Sequence, residues 1–278
     1  MPNNGKAKER TEVFEDTKLL YTNDPRLQKS ITSSVSGTMY FPDDCMMFLP
    51  PPRITTPMSV SVSRRRTFEA AMYQLDLEPS SKVAVLNFAS GTNPGGGVEH
   101  GSPAQEESLC RCSTLYPVLT VCELLGKTYY GRHRRLHDAR YTDSCIYTPH
   151  ITVFKSDTNR PERLPIGKWK QVDIISCAAP NLRAIQSGKG PAITPEELLE
   201  LHKSRARRIF HVAAIFKVDT LILGAFGCGA FGNPPDIVAR AYREILEEFD
   251  QYIPKVEFAV YCPPGDSWNY EAFARAMQ

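Results

Sequence analysis

Two adjacent carboxylates, Glu106 and Glu107, follow a triple glycine, Gly95-Gly96-Gly97, after a seven-residue connector and Gln105. Paired glutamates at a helix start have an ordinary explanation, because acidic side chains favour the positive end of the helix dipole. Ser102 fits an N-cap, Pro103 the first helical position, and Gln105 would close a capping box. The chain carries its own control, since Thr194-Pro195-Glu196-Glu197 has the same form without a glycine run before it. The loop in front is what sets Glu106 and Glu107 apart, because glycine lets backbone approach a ligand closely. A second glycine-rich stretch, GAFGCGAFGN (224–233), stands just before a predicted helix start near Pro235-Asp236. Successive backbone N–H groups in such a loop form an anion-binding concavity, to which a helix N-terminus adds its positive end. The second loop does not match GxxxxGK(S/T), and no GxGxxG follows the first core strand, so nucleoside-triphosphate and dinucleotide fingerprints are absent.

Other reactive side chains fall into less specific patterns. His133 and His137 are spaced i, i+4, but no third ligand lies nearby and the stretch is arginine-rich, so no metal is expected there. The eight cysteines contain no CxxC pair. Cys145, Cys177, Cys228 and Cys262 sit in or beside apolar runs and are expected to be buried, reduced thiols. Basic clusters at Arg64–Arg66, Arg132–Arg140 and Arg205–Arg208 read as solvated faces, with an anionic ligand as the alternative.

The elements that must position these residues alternate from Lys82 onward. Near-continuous apolar runs at 82–90, 171–179, 218–226 and 256–262 are predicted strands buried on both faces. Helical stripes lie between them, at Ile209, Phe210, Ala213 and Phe216, and at Ile237, Ala241, Ile245 and Phe249. Such alternation predicts an α/β sandwich around a mostly parallel sheet. Ligands of such sheets bind beyond the carboxyl ends of the strands, which is where both glycine loops fall. Before residue 80 the pattern differs. Residues 7–35 carry weak helical periodicity, with a second helix starting at Asp24-Pro25; Pro50-Pro51-Pro52 marks an irregular segment. The alternation at Met58–Ser63 predicts a strand, and Thr67–Leu75 a helix. The expected division is a helical N-terminal extension, 1–57, packed on a core of 58–278.

The motifs together resemble one family. NFASGTNPGGG, seven residues, then Gln105-Glu106-Glu107 is similar to the GGG-X(6–8)-QEE signature of poly(ADP-ribose) glycohydrolases, and SLCRCSTLY resembles the microbial type. GAFGCGAFGN resembles the diphosphate loop of that family and of macrodomains. YTDSCIYTPHITVFKSD (141–157) and DIISCAAPN (173–181) resemble family segments in the expected order. The resemblance covers roughly residues 55–265 and implies a macrodomain-like mixed, mostly parallel sheet between helices, with ADP-ribose in a cleft at its edge. It implies that Glu107 is the catalytic acid and that Glu106 holds the distal ribose hydroxyls. Asn93, Gly95, Gly96 and Gly97 then surround that ribose, with Gln105 beside them. Gly227, Cys228, Gly229 and Ala230 cradle the diphosphate, and Phe231 packs on the distal ribose. No motif fixes the adenine pocket, for which Phe226 is the one candidate.

Cleavage of a ribose–ribose bond passes through an oxocarbenium-like state and needs protonation of the leaving oxygen. Adjacent glutamates in a helix point about 100° apart, so they do not flank one bond as a usual glycosidase pair does. One acid and one positioning carboxylate is the natural division. The helix N-terminus lowers a carboxyl pKa, so burial must outweigh it if either group is to donate a proton. Two alternatives stand beside the polymer hydrolase: a mono-ADP-ribosyl hydrolase and a non-catalytic ADP-ribose-binding module, the latter disfavoured by the presence of both glutamates. The expected partners are poly(ADP-ribose) or ADP-ribosylated protein and the product ADP-ribose, with no cofactor and no metal, in the setting of the DNA damage response. The 33 basic and 31 acidic residues of the 278-residue chain leave a net charge of +2, which does not suggest DNA binding. No apolar run reaches the ~18 residues of a membrane span, and the polar start is unlike a secretory signal. An intracellular monomer, cytoplasmic or nuclear, is expected.

Overall fold

The computed structural model describes residues 3–278. Seven strands form one mixed sheet: β1 (Met39–Phe41), β2 (Ser59–Ser63), β3 (Val83–Phe88), β4 (Cys145–Val153), β5 (Lys170–Cys177), β6 (Thr220–Leu223) and β7 (Lys255–Ala259), in the order β1-β4-β5-β3-β6-β7-β2. The run β5-β3-β6-β7-β2 is parallel, and β4 and β1 extend it antiparallel. The central strands are buried on both faces, which is why their sequences read as unbroken apolar runs. The 218–226 run yields only a four-residue strand, because the chain turns at Gly224 into the second glycine loop.

Among the described residues eleven helices surround the sheet. One face carries α1 (Asn3–Asn23), α2 (Pro25–Gly37), α3 (Thr67–Leu77), α4 (Gln105–Cys112), α5 (Leu115–Val121), α6 (Glu123–Lys127) and α7 (Tyr129–Leu136). The short α8 (Leu182–Gln186) runs beside the second glycine loop. The other face carries α9 (Pro195–Ile215), α10 (Pro235–Leu246) and α11 (Trp268–Ala276). Two apolar cores result, one on each side of the sheet. The stripe on α10 buries Ala241 and Ile245, and Phe249 continues it into a 3₁₀ turn.

Residues 3–57 are tied to the rest by polar contacts as well as packing. At Pro149-His150 the register of β4 against β5 shifts and His150 takes a φ of 57°. Its carbonyl accepts the Ser30 and Ser34 hydroxyls of α2, each at 3.1 Å. β1, which lacks a sequence signal of its own, pairs with β4 as the edge strand. Helix α1 inserts Phe14 into the core and presses its backbone on Gly101, whose left-handed turn brings the Ala7 carbonyl to where a Cβ would stand. No helix among the described residues is long and apolar enough to cross a membrane.

Candidate active site

The site lies at the carboxyl edge of the sheet, between the exits of β3 and β6. Its catalytic side starts with α4, whose beginning differs from the expectation. Ser102 does not cap it and Pro103 is not its first residue. The helix begins at Gln105 after Ala104, with no side-chain cap. A 3₁₀ turn at Val98–His100 and the left-handed Gly101 use up the connector, leaving Ser102–Ala104 outside the helix. The Gln105 side chain, expected to close a capping box, instead crosses to β3. Its Oε1 accepts the Phe88 amide at 2.9 Å, and its Nε2 donates to Leu86 O at 2.8 Å and Thr67 Oγ1 at 3.0 Å. The amides of Gln105, Glu106 and Glu107 therefore have no protein acceptor among the described residues, and these residues line the cleft.

The two glutamates differ in surroundings. Glu106 is 2% exposed. Its Oε2 accepts the Ser90 amide at 2.7 Å, and its Oε1 the Asn87 side-chain amide at 3.3 Å. Burial pushes its carboxyl up to about 8, against the opposing pull of the Ser90 hydrogen bond and with help from the neighbouring Glu107 charge. Glu107 Oε1 accepts the Gly97 amide at 2.9 Å, while Oε2 has no protein partner among the described residues. Gly96, with φ 59°, makes this arrangement possible. A Cβ there would stand 2.5 Å from Glu107 Oε1 and 3.2 Å from Glu106 Oε2.

Two cavities meet at Glu107. A cleft of about 320 Å³ runs past Glu106, Glu107, Phe226, Gly227 and Gly229–Phe231 to Arg66, Tyr261 and Asn269. A second hollow of about 520 Å³ is walled by Asn93, Gly96, Gly97, Glu99 and Tyr116. Ser90, Glu107 and Phe231 border both. Across the cleft from α4, the second glycine loop presents the amides of Gly227, Gly229, Ala230 and Phe231, which have no protein acceptor among the described residues. Gly229 has open space where a Cβ would be, and Gly227 takes a φ of 77° against Asn233 and Ala179.

The sequence-predicted residues do not all touch this space. Gly95 lies on Tyr116 and Cys110 behind the loop. The Cys228 amide is bound to Ala225 O, and its thiol, pushed up by burial, points at Phe226 O. Cys228 and Cys262 are only half-buried, unlike Cys145 and Cys177. Phe226, 1% exposed, packs on Phe88 in the cleft floor. His133 does not face His137. It is buried between Gly91 O (3.1 Å) and Thr142 Oγ1 (2.9 Å), and burial lowers its pKa to about 4. Neutral His133 thus fixes the start of the first glycine loop, while His137 ends α7 at a φ of 50°.

With this geometry, the model of the microbial-type PARG catalytic domain matches residues 7–156. The chain belongs to the microbial-type poly(ADP-ribose) glycohydrolase family. This glycohydrolase fold is similar to that of poly(ADP-ribose) glycohydrolase from Thermomonospora curvata (TM-score 0.82, 29% identity, 96% of this chain and 98% of that one). It also resembles the same enzyme bound to the inhibitor ADP-HPD (TM-score 0.79, 28% identity, 96% and 98%). The Deinococcus radiodurans enzyme in complex with ADP-ribose gives a TM-score of 0.74 at 35% identity, over 89% of this chain and 96% of that one. No curated protein sequence matches the chain.

Several residues that shape the cleft carry no separate signal in the sequence. Asn233 holds the second glycine loop, donating to Pro180 O (2.8 Å) and Gly227 O (3.1 Å), and its Oδ1 meets the buried ring of His202 at 3.0 Å. Asp157 joins the starts of two helices, accepting the Phe68 amide of α3 and the Ser108 hydroxyl of α4. Asn87 and Ser90 stand inside the NFAS segment, where their position beside the glycine run is the one available clue.

Proposed function

We propose that the protein hydrolyses the ribose–ribose O-glycosidic bonds of poly(ADP-ribose) and releases ADP-ribose, with Glu107 as general acid. The observation that carries this reading is the unequal binding of the two carboxylates. Glu107 has one oxygen fixed by Gly97 and the other free where the two cavities meet. Glu106 is held on both oxygens and suits the placement of the distal ribose hydroxyls. The raised pKa of Glu106 argues in the other direction, since a carboxyl near 8 is protonated at neutral pH. Geometry decides between them, because a proton donor must reach the leaving oxygen and Glu106 is closed in by Asn87 and Ser90.

In this assignment the diphosphate lies over the amides of Gly229–Phe231, which places the distal ribose beside Phe231 and Glu107 and its C1″ at the junction. Glu107 gives its proton to the departing 2′-oxygen as the C1″–O bond breaks. Water adds its oxygen to C1″ and releases a proton, which restores Glu107. The substrate diphosphate, close to the developing cation, stabilises it. The acid and the amides supply the chemistry, so the reaction needs neither metal nor cofactor, and turnover after dialysis against EDTA checks that point.

Turnover of labelled polymer by Glu107→Gln is the direct test. A loss of about 10²–10⁴-fold is expected with ADP-ribose binding retained. A variant that keeps more than about a tenth of the wild-type rate would remove Glu107 as the donor. ADP-ribose at 100 times its Kd should also stabilise the fold by about 2.7 kcal/mol.

A further inference from the structure

The far end of the cleft meets a basic cluster that the reaction leaves unused. Strands β2 and β7 are parallel neighbours, so Arg64, Arg65 and Arg66 leave the sheet at the same edge as Val260 and Tyr261. Each guanidinium lies on a tyrosine ring: Arg64 on Tyr270 at 4.0 Å, Arg65 on Tyr73 at 3.9 Å and Arg66 on Tyr261 at 3.8 Å. Stacking fixes the plane of a guanidinium while leaving its N–H edge available for a bidentate anion.

The other basic clusters are largely spent inside the protein. Arg205 is buried on Asp143, Ala178 O and Arg140 O; Arg207 pairs with Glu248, Arg132 with Asp43 and Arg140 with Asp138. In the strip, Arg65 pairs with the buried Glu257 at 3.3 Å. Arg64 and Arg66 have no carboxylate within ion-pair distance among the described residues. Glu69, the nearby acid, accepts the Arg66 backbone amide, and the Arg66 guanidinium donates to the Asn159 side-chain oxygen. Arg66 and Tyr261 wall the cleft itself, so the strip continues it outward.

With the distal ribose at Glu107 and the diphosphate on the second glycine loop, adenosine extends toward Arg66 and Tyr261. In the polymer the 2′-oxygen of that adenosine ribose carries the next unit whenever the seated unit is internal. A chain leaving the cleft past Arg66 and Asn269 would bring the next diphosphate toward the exposed Arg64, which stacks on the neighbouring Tyr270. We propose that Arg64 and Arg66 form a second diphosphate subsite, which holds the unit joined to the adenosine ribose and so lets the cleft accept internal units of the polymer. This rests on the proposed reaction and on the direction it gives the ligand.

The test uses the full chain with long polymer as substrate and ADP-ribose as the binding probe. Arg64→Gln should raise KM for long polymer about fivefold, the upper end for an exposed ion pair. Arg64→Lys should recover only part of that loss, because an ammonium keeps the charge but not the stacked, bidentate edge. Arg240→Gln, which removes an exposed arginine of α10, should not share it. ADP-ribose affinity should stay the same in all three. Early wild-type products should include oligomers, and Arg64→Gln should shift them toward single ADP-ribose. An unchanged KM and product pattern in Arg64→Gln would overturn the proposal. So would inhibition by single-stranded DNA as strong as by an equal charge of polymer, if Arg64→Gln abolished it, since the strip would then be a general polyanion site. A wild-type protein that binds ADP-ribose but cleaves no polymer would instead overturn the reaction on which the subsite rests.

Discussion

Helices α4 and α9 start from nearly the same residues, a hydroxyl, a proline and two glutamates. At α9 the hydroxyl caps: Thr194 Oγ1 accepts the Glu197 amide at 3.2 Å, and Glu197 Oε2 accepts the Thr194 amide at 2.8 Å. Glu196 and Glu197 stay exposed. At α4 the cap is missing, the two carboxylates are buried, and the preceding glycine loop closes on them. An absent cap costs about 1 kcal/mol, and a buried carboxyl further disfavours its charged form. The same short motif therefore stabilises a helix in one place and, where a loop without side chains can wrap it, gives up stability to bury two carboxylates beside uncapped amides.

Gly96→Ala attacks that difference most severely. Its Cβ has no room beside Glu107 Oε1, and a φ of 59° is unfavourable for alanine. Turnover should fall by about 100-fold or more, because a displacement of ~1 Å is enough to cost that much. The measurement is kcat on labelled polymer, with circular dichroism as the folding check; near-normal kcat would show that the loop does not set the carboxylate.

Glu106→Gln sharpens the comparison through pH. The folded pKa of Glu106, about 8, lies above the ordinary glutamate value of 4.5, so the fold favours the protonated form. The stability this confers is present below about 4.5 and is lost as pH rises through 8. Urea unfolding of the wild type should weaken between pH 5 and 9 relative to Glu106→Gln, by on the order of a few kcal/mol. Parallel curves for the two proteins would show that Glu106 is ionised at ordinary cost.

The look-alike start gives the smallest effects. Thr194→Ala should lower stability by about 1 kcal/mol and leave kcat alone. Glu196→Gln should stay within about 0.5 kcal/mol of the wild type, as exposed substitutions do. A loss of turnover in either, measured beside unfolding curves, would erase the distinction between the two helices.

Four of the parallel strands were legible because strands buried on both faces are largely apolar, as in VAVLNF, and the edge strand β2 through the alternation of SVSVS. β4 was not read as a strand, since Pro149 and His150 interrupt its pattern at a register shift; only the likeness of segment 141–157 to a family segment marked it. β1 has three residues and no periodicity to read. At the site, the glycine run and the QEE triplet could be read because only certain residue types permit that geometry. The role of Gln105 could not, because a capping box and a brace to β3 use the same side chain, and the choice depends on how Gly101 turns the chain. The Asn233–His202 pair and the two contacts of Asp157 span 31 residues or more of sequence, a separation that local spacing does not encode.

Asp157 also makes the cleft mechanically one piece. It is 7% exposed, and its two oxygens take the Phe68 amide at the start of α3 and the Ser108 hydroxyl next to Glu107. The adenosine-side wall, where Arg66 precedes α3, is thus latched to the helix that bears the carboxylates. Opening one end requires breaking the latch at the other. The Phe68 amide proton should therefore exchange with solvent only when the catalytic helix releases it, which makes that single N–H a clock for motion at Glu107.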